Sequence, residues 1–131
     1  MSIKSVLIEV SPGEMIDKIT ILLIKSERIN DEIQLANVQH ELDILSSKLD
    51  KEIPASPKLD ALKLELKSVN EELWCIEDGI RDCERINDFS QTFIELARAV
   101  YFTNDKRANL KREINLLLGS EFMEEKSYKS Y

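Results

Sequence analysis

Six side chains within one stretch of this sequence could together hold an anion: Arg98, Tyr101, Asn104, Arg107, Lys111 and Arg112. A guanidinium presents a planar fork that meets a carboxylate or phosphate through two parallel bonds, and a phenol and an amide add donors beside it. These residues fall where an apolar stripe is interrupted. Phe93, Leu96, Ala97 and Val100 open the stripe, and Ile114, Leu117 and Leu118 close it. Between them both heptad phases turn Arg107 inward, with Asn104 and Lys111 in one phase and Thr103 and Leu110 in the other. A polar gap in a core stripe is costly unless partners satisfy it. The gap has three physical explanations. An internal ion-pair network fixes the register between helices, with Glu77, Glu84, Asp17 or Glu27 as the facing carboxylate. A polar pocket holds an anionic group. Or the helix kinks at Thr103-Asn104-Asp105 and turns the charges to solvent.

Other chemistry has less to build on. His40 is the only histidine, and it stands beside Glu41 as a surface residue. Cys75 and Cys83 are eight residues apart in a helical stretch, so their Cα atoms lie about 12 Å from one another, beyond the roughly 7 Å a disulfide spans. Reduced thiols of a cytoplasmic protein are the expectation. A structural zinc wants four such ligands, so no metal and no cofactor is predicted. No Ser-His pair, nucleophile elbow or phosphate loop is present, which leaves the enzyme question open without a catalytic residue to name. Trp74 reads as a flank packing residue. Glu77 and Asp78 with Arg81 and Asp82 read as a solvated, ion-paired face.

Charge narrows the partners. The net charge is -7 and the pI about 4.8, which argues against nucleic acid. The longest apolar run, Ile19 to Ile24, falls far short of the roughly 20 residues a membrane span needs. The N-terminus has no cleavage-site pattern of a signal peptide.

The elements that must position these residues are long helices, since three glycines and three prolines are too few for an all-β fold. Ser11-Pro12-Gly13-Glu14 combines an N-cap, a first-turn proline and the glutamate of a capping box. The first helix runs from there to about Asn30. The second covers Glu32 to Lys51, and Pro54-Ala55-Ser56-Pro57 ends it. The third runs from about Lys58 to Asn87 with a coiled-coil-like seam of Leu59, Leu62, Leu66, Val69, Leu73, Ile76, Ile80 and Cys83. The fourth runs from Gln91 to Leu118 and stops at Gly119. Together they predict a single all-α domain over residues 1–131, an antiparallel bundle of about four helices. Ile3 to Val10 reads as a short strand-like segment, and Ser120 to Tyr131 as a C-terminal arm. A lone strand needs a partner, either the arm or a second copy. The first helix is apolar nearly all round, as centrally buried helices are. Both features predict a homo-oligomer.

Several blocks carry a resemblance: Ser11-Pro12-Gly13-Glu14, Tyr101-Phe102-Thr103-Asn104-Asp105-Lys106-Arg107-Ala108, Lys111-Arg112-Glu113-Ile114-Asn115 and Glu125-Lys126-Ser127-Tyr128. Over nearly its whole length the chain resembles an uncharacterised bacterial family of small proteins, a domain of unknown function. Gly79 and Met15 depart from its pattern. The resemblance implies no activity, cofactor or catalytic residue; it suggests a link to surface-polysaccharide metabolism. The size is similar to that of small all-helical chorismate mutases, but that likeness is compositional. The function expected is that of a non-enzymatic cytoplasmic interaction or accessory protein. The alternative is a protein or enzyme taking a sugar phosphate or nucleotide sugar on the fourth helix.

Overall fold

The computed structural model describes residues 2–131. Four helices follow one another: α1 (Pro12–Arg28), α2 (Glu32–Glu52), α3 (Pro57–Arg85) and α4 (Gln91–Leu118). Each boundary has a local cause. The Ser11 hydroxyl accepts the Glu14 amide at α1, the Asp31 carboxylate accepts Gln34 at α2, and the Ser56 hydroxyl accepts Leu59 at α3. Asn87 takes the left-handed conformation (φ 55°) that closes α3, a position asparagine tolerates better than other side chains. Gly119 (φ 65°) does the same for α4, and the Ser120 amide bonds back to the Asn115 carbonyl.

Helix α1 packs against each of the other three, α3 and α4 form an antiparallel hairpin, and α2 folds back along α1. Bonds from Gly13 to Asn115 and from Asp17 to Arg107 run α1 antiparallel to α4, while Asp17 and Thr20 meet Asn70 of α3. Two apolar clusters flank α1. Ile16 joins Leu59, Leu62, Leu66, Val69, Leu110 and Ile114 on one side; Ile19 and Leu22 join Val38 and Leu42 on the other. Helix α1, apolar on nearly all sides over Ile19–Ile24, is thus the central helix of an all-α bundle.

Two expectations change in detail. No strand forms among the described residues: 2–10 run as irregular backbone, with Ile3, Val6, Leu7 and Ile8 each at least 74% exposed. The C-terminal arm, one of its two suggested partners, lies instead against α4, so no edge is left beside it within one chain. Likewise Glu14 pairs with Lys111 Nζ at 2.8 Å and so does not complete the capping box.

Candidate functional site: the Asp17–Arg107 centre

The centre of the bundle is built on a carboxylate in the apolar helix. Asp17 is only 2% exposed and would be costly there without partners. Arg107 supplies two of them, Nε donating to Oδ1 at 2.9 Å and Nη2 to Oδ2 at 2.6 Å. That is the bidentate fork that makes arginine the favoured partner of a buried carboxylate. Asn70 Nδ2 donates to Asp17 Oδ1 at 2.9 Å and to Thr20 Oγ1 at 3.0 Å, and the Thr20 hydroxyl donates to the Asp17 carbonyl at 2.7 Å. Three helices are therefore tied at one point. The bond to Asp17 holds the Arg107 guanidinium above its usual basicity against the opposing effect of burial.

One turn further along α4, Lys111 is also turned inward, its side chain 9% exposed. Burial alone would push its ammonium down; Glu14, Asp17 and Glu124 together hold it above the ordinary lysine value. One more turn brings Asn115, fully buried, whose Oδ1 accepts the Gly13 amide at 2.7 Å. This accounts for the start of α1. Pro12 has no donor, Gly13 bonds to Asn115, Glu14 to the Ser11 hydroxyl and Met15 to the Ser11 carbonyl. Asn115 Nδ2 is buried without a partner.

A family model matches residues 6–131, all four helices and the arm. The chain belongs to DUF6165, a family of unknown function. No curated protein and no solved structure matches it.

In this DUF6165 chain the six residues singled out on α4 do not share one cavity. Arg107 and Lys111 face α1. Arg112 reaches the arm, with Nη1 3.1 Å from both the Glu124 carbonyl and Glu125 Oε1. Arg98 stands exposed, 5.8 Å from the centre of the Phe102 ring. Tyr101 stacks with Phe102 and Tyr131 at 4.9 and 5.4 Å. Asn104 lines three open grooves: one of about 940 Å³ with Tyr101 and Arg112, one of about 430 Å³ with Arg107, and one of about 400 Å³ with Arg107 and Lys111. Of the four carboxylates considered for Arg107, Asp17 is the partner; Glu77 and Glu84 are exposed on α3, and Glu27 pairs with Lys67 at 2.8 Å. The arm is fastened by Lys126 and Tyr131, both bonded to Asp105, whose carboxyl those two bonds hold below its usual range.

Asn70, Thr20, Gly13 and Asn115 were not among the residues singled out in this DUF6165 sequence. Each had a signal. Thr20 is the one polar residue in the run Ile19–Ile24, and Arg107, Lys111 and Asn115 recur every four residues on one face of α4. Among the described residues no three His, Cys, Asp or Glu side chains converge as metal ligands would.

Proposed function

We propose that the chain is a non-enzymatic interaction protein that acts through its surfaces and self-associates, with its central polar cluster serving the fold. The observation that carries this is the pairing of charge. Arg107 is committed to Asp17, Lys111 to Glu14 and Glu124, and Arg112 to Glu125. Carboxylates of the same chain occupy the positions where a bound anion would sit, so an incoming phosphate would have to displace them. Apolar surface, by contrast, is left uncovered on residues 3–10. That segment supplies the apolar area a second copy would bury, and pairing with its symmetry mate would satisfy its free backbone donors and acceptors. The two free thiols, one exposed and one buried, suit a reducing cytoplasm.

Sedimentation velocity tests the reading. The full chain is expected to sediment as a dimer or larger species at tens of micromolar. A chain starting at Val10 is expected to keep its helical circular dichroism and shift to monomer. A full-length chain that stays monomeric throughout that range rejects self-association.

A further inference from the structure

The faces of α3 and α4 that hold α1 continue past the point where α1 crosses off them towards Lys67 and Glu71. On α3 this face is marked by Asn70, bonded to Asp17 and Thr20; steps of three and four residues from it reach Leu73, Glu77, Ile80 and Glu84. On α4 it is marked by Arg107, and the same steps backward reach Asn104, Val100, Ala97 and Phe93. Helix α1 stops at Arg28, whose guanidinium carbon lies 6.0 Å from the centre of the Trp74 ring. Beyond the crossing the cover is gone. Leu73, Ile80, Phe93, Ala97 and Val100 are only half-buried, and no residue of α4 before Thr103 is buried. Beside Ile21 and Ile24 of α1 the surface sinks into an open groove of about 430 Å³ lined by Leu73, Trp74, Glu77, Arg81, Asn104 and Arg107.

Charge indicates what fits there. Residues 71–98 carry eight carboxylates against three arginines, so most of the chain's net charge of -7 sits on this hairpin. Glu77, which has Arg81 3.6 Å away, and Glu84, whose carboxylate has no partner among the described residues, stand exposed along this face. The hairpin of a second copy would bring like charge against like, which disfavours a partner by electrostatic mismatch. We infer that this open face, with the groove at its near end, receives an amphipathic helix with basic flanks from another protein, laid along the α3–α4 hairpin. Its apolar side covers Leu73, Ile80, Phe93 and Val100, and its lysines or arginines meet Glu77 and Glu84. From Leu73 to Glu84 the face is about 16 Å long, which takes roughly three turns of such a helix. This inference rests on the interaction reading above and adds the class of partner.

Trp74, the only tryptophan, is a built-in reporter at the groove. The probe is a synthetic helical peptide of roughly four turns, leucines on one face and lysines elsewhere, lacking tryptophan. It is expected to change Trp74 emission saturably. A peptide with glutamates in place of the lysines is expected to bind at least about tenfold more weakly. The pair Glu77→Lys and Glu84→Lys, both exposed and so harmless to the fold, is expected to weaken the lysine peptide by about tenfold or more. The pair Glu32→Lys and Asp43→Lys on α2 changes net charge equally and is expected to leave binding unaltered. Absence of binding, equal binding of both peptides, or equal loss from the α2 reversal would overturn the inference. So would a change of oligomeric state on reversing Glu77 and Glu84, which would assign the groove to a second copy. The two readings fail separately. A monomer that still binds the lysine peptide rejects only self-association, and a dimer that ignores it rejects only the groove.

Discussion

At the residue scale the molecule turns on one buried carboxylate and its fork. Breaking such a pair from one side leaves a charge without water or partner, whereas removing both members together leaves none. Arg107→Met is therefore expected to destabilise by about 3–5 kcal/mol, and Asp17→Leu with Arg107→Met by clearly less. Urea denaturation of the three chains checks this; a double variant no better than Arg107→Met contradicts it. Lys111 adds a pH dependence. Its folded value is raised, so its contribution is fully present below the unfolded value of about 10.4 and is lost as pH rises through the higher folded one. The gap in stability between wild type and Lys111→Met is expected to shrink over that alkaline window, read from urea midpoints. That Arg107 turns inward was legible in the sequence, because both stripe phases agree on it. Its partner was not. Choosing Asp17 over Glu27, Glu77 or Glu84 depends on how far one helix slides along another, and local periodicity does not contain that alignment.

At the element scale the contact between α1 and α4 sets how close those helices come. A Cβ on Gly13 would lie 2.5 Å from the Lys111 carbonyl oxygen and 2.9 Å from Asn115 Oδ1. The glycine is needed for this approach, and the obstacle is backbone that cannot swing aside. Gly13→Ala is expected to cost about 1–3 kcal/mol in thermal or urea unfolding, as overpacking does. An alanine variant as stable as wild type would mean that α1 and α4 separate without penalty. Helix limits were readable to within a few residues because caps, prolines and Gly119 act locally. Glycine's role at position 13 was not, since it is dictated by a residue 102 positions away. The α3 seam shows the same limit. Its proximal half, Leu59 to Val69, is core as the pattern implies, while Leu73, Ile76 and Ile80 are only half-buried, because α1 crosses off this face towards Lys67 and Glu71, and Cys83 is buried again.

At the scale of the whole molecule, polar residues sit inside and pair with one another, while apolar residues remain outside on the N-terminal segment and the distal hairpin. The all-α bundle was legible from composition and periodicity. The distribution of cations over three environments was not, because the arm that engages Arg112 and Lys111 returns from the far end of the chain. The central claim is that Arg107 and Lys111 of α4 close an internal network and hold no anion pocket. Urea denaturation of wild type and Arg107→Ala, each with and without phosphate or a sugar phosphate, tests it most directly. The account predicts that Arg107→Ala loses about 3–5 kcal/mol and that no anion shifts the wild-type midpoint beyond the general effect of matched salt. A wild type stabilised by about 2.7 kcal/mol at a hundred times the dissociation constant of one of these anions, with Arg107→Ala as stable as the unliganded wild type and indifferent to the anion, would contradict it.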